Sequence, residues 1–182
     1  MTTDPWLLVG GLLVVLLVIW TAWTLTRLGR LESRVARAWT ALDTQLQRRA
    51  GLAEELCRAY PAALGPERGE RLAVAAAGAR SPSAGDRELA ENLLGRELGA
   101  LPEDLPGVPH ALAVDLRGTT TRIGLARRFY NDAVRDTRAL RRGRLSRVLR
   151  LHGRRPLPRF FDIEDGLEEL RTGHDRAGQG AR

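Results

Sequence analysis

Residues 6–25 read WLLVGGLLVVLLVIWTAWTL, and the segment that follows without a break, TRLGRLESRVARAWTALDTQLQRRAGLAEELCRAY (26–60), decides the fold. The first piece has no charge in twenty residues, and twelve of the twenty are Leu, Val or Ile. At about 1.5 Å per residue such a helix is roughly 30 Å long, the thickness of a bilayer hydrocarbon core. At roughly 0.4 kcal/mol per aliphatic residue, the twelve favour insertion by about 5 kcal/mol. Trp6 stands at one end and Trp20 and Trp23 at the other, where interfacial anchors belong. A cleaved signal peptide would need a basic start, a shorter apolar run and a small-residue cleavage site. Residues 1–5 offer Asp4 and no base, and TAWTLTR has no Ala-x-Ala pattern. The segment reads as a single-pass anchor.

Flanking charge sets the expected orientation. Arg27, Arg30, Arg34 and Arg37 follow the span against one acid, Glu32, while only the N-terminal amine precedes it. The positive-inside rule then places the N-terminus outside and the remainder in the cytoplasm of a cell membrane.

The second piece continues as a helix. Apolar residues recur at Leu28, Leu31, Val35, Ala38 or Trp39, Leu42, Leu46, Ala53 and Leu56, a spacing of three and four that marks one helical face. Pro61, Gly65 and Pro66 end it. An Ala-rich helix over 67–80 carries Leu72, Ala75, Ala76 and Ala79 on one face. SPSAGD (81–86) is a loop with Asp86 placed as an N-cap. A helix over 87–101 presents Leu89, Leu93, Leu94 and Leu98. PEDLPGVP (102–109) is a connection. The last helix starts near His110, with a stripe from Leu112 through Leu116, Thr119, Ile123, Ala126, Tyr130, Val134, Thr137 and Leu140. It can continue through Leu145, Val148 and Leu149 until Pro156. No strand period occurs. The expectation is an all-α protein: a short N-terminal tail (1–5), a transmembrane helix (6–25), and an up-and-down four-helix bundle (26–161) containing a basic segment (141–155). An acidic, then disordered, tail (162–182) follows, Gly-rich and charged from Thr172.

All 29 basic residues are arginine, and the net charge is +7. Arginine forks onto phosphate and carboxylate groups, although a genome rich in Arg, Ala and Gly codons would also remove lysine. The lone Cys57 sits on a helix, where a small buried hydrophobe is the ordinary role.

Two segments carry a resemblance. RVARAWTALDTQLQRRAGLAEEL (34–56) follows the anchor, and RIGLARRFYNDAVRDTRAL (122–140) lies in the last helix. Trp39, Asp43, Gln45, Leu46 and Arg49, with Ala126, Arg127, Arg128, Tyr130, Asn131, Asp132, Ala133 and Val134, resemble the motifs of the LemA family of bacterial membrane proteins. The resemblance extends loosely to FFDIED (160–165). The chain departs from the family pattern at Glu54, where proline is usual, and at Thr120 and Thr121, which stand in the places of a Glu and an Asn. A Tyr-Pro pair before the last helix is missing. The resemblance implies a divergent, membrane-anchored helical bundle, in a family with no established biochemical activity.

The residues give little sign of catalysis. His110, His152 and His174 are far apart, and none pairs with another at the spacing of a helical metal site. There is no phosphate-binding glycine loop and no nucleophile elbow. No catalytic residue, metal site or cofactor is expected. Trp39, Asp43, Gln45, Arg49, Arg127, Tyr130, Asn131 and Asp132 read as structural. A buried Asn or Asp paired with Arg49 or Arg127 would fix helix register.

Charge is the remaining feature. Residues 127–159 hold twelve arginines and two acids. Arg141, Arg142, Arg144, Arg147, Arg150, Arg154 and Arg155 alternate with Leu145, Val148, Leu149 and Leu151, which as a helix would be basic and amphipathic. The expected function is a non-enzymatic, membrane-anchored bundle acting as a scaffold or as a binder of an unidentified protein partner. The alternative is a binder of anionic lipid head groups through 141–155. Nucleic acid ranks below lipid because the segment lacks aromatic stacking residues.

Overall fold

A computed structural model describes residues 5–81, 87–102, 104–142 and 156–163. Among these residues the chain forms five helices and no strand. The helices are α1 (Pro5–Ala59), α2 (Pro61–Leu64), α3 (Pro66–Arg80), α4 (Arg87–Gly99) and α5 (His110–Arg142). The all-α expectation holds. The placement of Asp86 as a cap, the continuation of α5 through Leu145, Val148 and Leu149, and the disordered tail lie outside the described residues.

α1 is unbroken over 55 residues, about 80 Å at the helical rise. It is the one helix among the described residues that is long and apolar enough to cross a membrane. Its side chains from Trp6 to Ile19 are covered by no other described part of the chain. Toward the end of the apolar run, Thr21, Thr24 and Thr26 donate their hydroxyls to the carbonyls of Leu17, Trp20 and Ala22 at 2.7–2.9 Å. Each polar group is thereby satisfied within the helix, as an apolar surrounding requires. Proline then punctuates the chain. Pro61 and Pro66 begin α2 and α3, positions whose missing N–H costs nothing. Gly65 joins the two helices at φ +71°, a left-handed conformation that only glycine takes without strain.

The chain divides into two compact units. One comprises Met1–Arg37 with Asp132–Arg159, the other Ala38–Asn131 with Phe160–Arg182. The core of the second unit draws on all five helices: Ala50, Ala53 and Leu56 of α1, Leu64 of α2, Leu72, Ala76 and Ala79 of α3, Leu94 of α4 and Leu116 of α5. Small alanines along α3 let its neighbours approach closely.

The stripe on α4 differs from the expected one. Leu94 is fully buried, but Leu89 and Leu93 are 56% and 44% exposed, and Glu91 is buried in their stead. The cause is the guanidinium of Arg49, which α1 turns into the core and which needs a carboxylate there.

In the first unit, Leu28 of α1 and Ala133, Val134 and Thr137 of α5 are buried. Two ion pairs tie the helices. Arg34 meets Asp136 at 3.0 Å, and Arg141 meets Glu32 at 2.5 Å. Later residues of α5 thus meet earlier residues of α1, so within this unit α5 advances toward the apolar end of α1.

Candidate functional site

In the second unit, the aromatic and polar motif residues converge on the segment 160–163. α1 supplies Trp39 and α5 supplies Tyr130, with ring centroids 5.3 Å apart, and the Phe161 and Trp39 rings meet in a T-shaped contact at 5.5 Å. Such tilted and edge-on contacts follow from the ring quadrupoles. Asn131 secures the backbone of the same residue twice. Its Nδ2 donates to the Phe161 carbonyl and its Oδ1 accepts from the Phe161 N–H, both at 2.9 Å. The Asp162 N–H donates to Glu88 Oε1 of α4 at 2.9 Å, and the Asp162 carboxylate pairs with Arg127 at 3.3 Å. Three helices therefore hold one segment without regular secondary structure by its backbone and its ring, with Phe161 and Ile163 buried. Burial, and secondarily the Glu88 charge, pushes the Tyr130 phenol above its ordinary range.

A second cluster sits between α1 and α4 of this unit. Arg49 donates through Nη2 to Glu91 Oε2 at 2.7 Å and to the Glu91 carbonyl at 3.1 Å. Arg87, one turn before Glu91, places Nε 3.4 Å from Glu91 Oε1 and donates through Nη2 to Asp43 Oδ1 at 2.6 Å. The chain of charges is Arg49, Glu91, Arg87, Asp43, and it is neutral as a whole. Both carboxylates are held by guanidinium groups, an arrangement that fixes how α4 lies on α1. Gln45 is also on this stretch of α1, and its Oε1 is buried without a hydrogen bond among the described residues.

Several site expectations take a different form in the structure. Arg49 is buried and pairs with Glu91, not with an Asn or Asp. Arg127 pairs with Asp162, and Asp132 faces outward to Arg135 at 2.6 Å. Glu88 and Glu91 escaped the sequence reading, and Phe161 and Asp162 entered it only through the loose resemblance at FFDIED (160–165). Two acidic residues on a helix look solvated by default, and only the burial of Arg49 opposite them distinguishes Glu91. Phe161 carried a weak signal, being apolar and next to Phe160 in an otherwise polar stretch.

On the surface of this unit, Val74 of α3 is 67% exposed. It lines an apolar groove of about 500 Å³ between α3 and α4 with Ala75, Gly78, Ala90 and Leu93. In the first unit, Trp6 and Trp23 are exposed and Trp20 is half-buried. The Arg27 guanidinium lies over the Trp23 ring at 5.4 Å, a cation–π contact. Arg141 is buried against Glu32 and also donates to the Pro156 carbonyl at 3.0 Å, while Arg142 is exposed. Arg144, Arg147, Arg150, Arg154 and Arg155 lie outside the described residues.

No protein-family model matches the chain, and no curated protein matches it.

Proposed function

We propose that the chain is a single-pass protein of the cell membrane, N-terminus outside, whose cytoplasmic part is a LemA-like helical bundle acting as a scaffold or protein-interaction module and not as an enzyme. One observation carries this reading. The motif residues that a catalytic role would need are spent on one another and on the chain itself: Asp43 on Arg87, Arg49 on Glu91, Asn131 on the Phe161 backbone and Arg127 on Asp162. Groups committed in this way order a scaffold. An up-and-down arrangement of α1, α3, α4 and α5 is supported by the shared core of the second unit and by the short connections between successive helices. The apolar side chains left exposed around the groove, Val74 and Leu93, supply surface of the kind that partner contacts use.

Site-specific photocrosslinking in intact cells tests the reading. A crosslinker at Val74 or Leu93 is expected to give a discrete adduct that one at Arg58 does not. Equal, diffuse labelling at all three positions contradicts the interaction module. Reproducible turnover by the purified chain, abolished by Asp43→Ala, contradicts the non-enzymatic reading.

A further inference from the structure

The charge of the chain is divided between its two units. The unit made of 1–37 and 132–159 holds 14 arginines and four acids, a net of +10, and the unit made of 38–131 and 160–182 holds 15 arginines and 18 acids, a net of −3. A codon bias that replaces lysine by arginine explains the identity of the bases. It does not explain why the excess falls entirely on the unit that contains the apolar span.

Within the described part of that unit, every acid is already engaged. Glu32 is held by Arg141, Asp136 by Arg34 and Asp132 by Arg135. The guanidinium groups of Arg27, Arg30 and Arg142 are exposed and pair with no carboxylate among the described residues. Their height is set by the helices. Arg27 and Arg30 fall within about two turns of Leu25, the last residue of the apolar run. Arg142 is brought to the same level because its neighbour Arg141 is locked, 5% exposed, onto Glu32, about 10 Å along α1 from Leu25 at the helical rise. Trp20 and Trp23 stand at the end of the apolar run, where interfacial anchors belong, and Arg27 stacks on Trp23.

We propose that Arg27, Arg30 and Arg142 form a cationic collar at the end of the membrane span that takes the phosphate groups of anionic phospholipids. The proposal rests on reading 6–25 as a transmembrane helix. The five arginines of 143–155 add to the charge of the same unit by sequence. The collar needs no pocket, because several guanidinium groups held at head-group depth attract a surface of negative charge over a screening length of about 8 Å at physiological salt. Guanidinium suits the task because its planar fork takes two phosphate oxygens at once.

The test uses the full chain reconstituted into phosphatidylcholine vesicles containing a minority of phosphatidylglycerol, with spin-labelled forms of each lipid reporting which one is held at the protein surface. Phosphatidylglycerol is expected to be selected by at least about threefold at low salt, and the selectivity to fall toward one in molar salt as screening shortens to about 3 Å. Arg27→Gln, Arg30→Gln and Arg142→Gln together should remove most of it, and the corresponding three lysine substitutions should retain most of it. Arg122→Gln with Arg128→Gln, in the other unit, should leave it unchanged. No selectivity in the wild-type chain, no loss in the triple Gln variant, or an equal loss in the Arg122/Arg128 variant overturns the collar. Displacement of the labelled lipid by inorganic phosphate at matched ionic strength also overturns it, by assigning the arginines to a free anion. Alkaline extraction of the same vesicles separates two failures. A chain released by alkali has lost its membrane span, whereas a retained chain without selectivity has lost only the collar.

Discussion

Arg49 of α1 and Glu91 of α4 form an ion pair at 2.7 Å with side chains 6% and 0% exposed. Two charges removed this far from water are costly, and their surroundings offset part of that cost: Arg49 also bonds the Glu91 carbonyl, and the Arg87 guanidinium lies 3.4 Å from Glu91 Oε1, an oxygen that makes no hydrogen bond among the described residues. The pair therefore selects one seating of α4 on α1. It also explains why Leu89 and Leu93 are turned out of the core.

Breaking this pair on one side leaves a buried charge without its partner. Arg49→Met or Glu91→Gln is expected to destabilise the fold by ~3–5 kcal/mol, whereas Arg49→Met combined with Glu91→Leu should recover most of that loss. Thermal unfolding of the full chain in mild detergent, followed by circular dichroism, gives the comparison. A double variant as unstable as the worse single one would show that the pair is not the coupling between these helices.

The hold on Phe161 is the next measurable feature. Asn131→Leu removes two hydrogen bonds to one backbone unit and is expected to cost about 1–3 kcal/mol. Asn131→Asp should cost at least as much, because its carboxylate would face the Phe161 carbonyl that Nδ2 now serves. Trp39 reports the event directly, since it loses a ring contact at 5.5 Å. In a background with Trp6, Trp20 and Trp23 replaced by Phe, both variants should shift the remaining emission to longer wavelength, and the segment 160–163 should become accessible to protease.

The helices and the long apolar run of α1 could be read from the sequence because their signals are local. An apolar stripe at spacing three and four needs no knowledge of its partner, and α1, α3 and α5 follow theirs closely. Leu42, Leu46, Leu116, Ile123 and Val134 are all buried where the stripe places them. α4 was legible as a helix but not in its facing, because the residue that decides it, Arg49, lies 42 positions earlier. The site was legible as a set of residues and not as an arrangement. Trp39 and Asn131 stand out in the sequence, yet Phe161, the group they jointly hold, follows Asn131 by 30 residues and has no periodic pattern of its own.

The proposed topology rests on Arg27, Arg30, Arg34 and Arg37, which stand on one side of the apolar run. In a Cys57→Ser background, a cysteine placed at Thr2 is expected to react with an impermeant thiol reagent applied to intact cells. One placed at Ala59 should react only after permeabilisation, and a reporter fused after Arg182 should behave as cytoplasmic. The reverse pattern would invert the proposed orientation and remove the contact between the collar and the cytoplasmic leaflet.

The alkaline limb of stability gives the last prediction. The chain has no lysine, and its alkaline behaviour can be followed at two partly buried side chains, Cys57 and Tyr130. Burial raises both Cys57, which donates to the Gly69 carbonyl at 3.7 Å, and Tyr130, from ordinary values of 9.0 and 10.0. A group whose ionisation is pushed up by folding keeps its proton over a range in which the unfolded chain has already lost it. The folded state then binds more protons, and stability declines with rising pH. The contribution of Tyr130 is fully present below its ordinary value of 10.0 and disappears as pH passes through the higher folded value. That of Cys57 behaves alike from 9.0 upward. Melting temperatures recorded from neutral to strongly alkaline pH should fall in two overlapping steps, with phenolate absorbance following the later one. Cys57→Ala should flatten the earlier step and Tyr130→Phe the later. A decline that survives both substitutions unchanged would mean that neither buried group couples folding to proton loss.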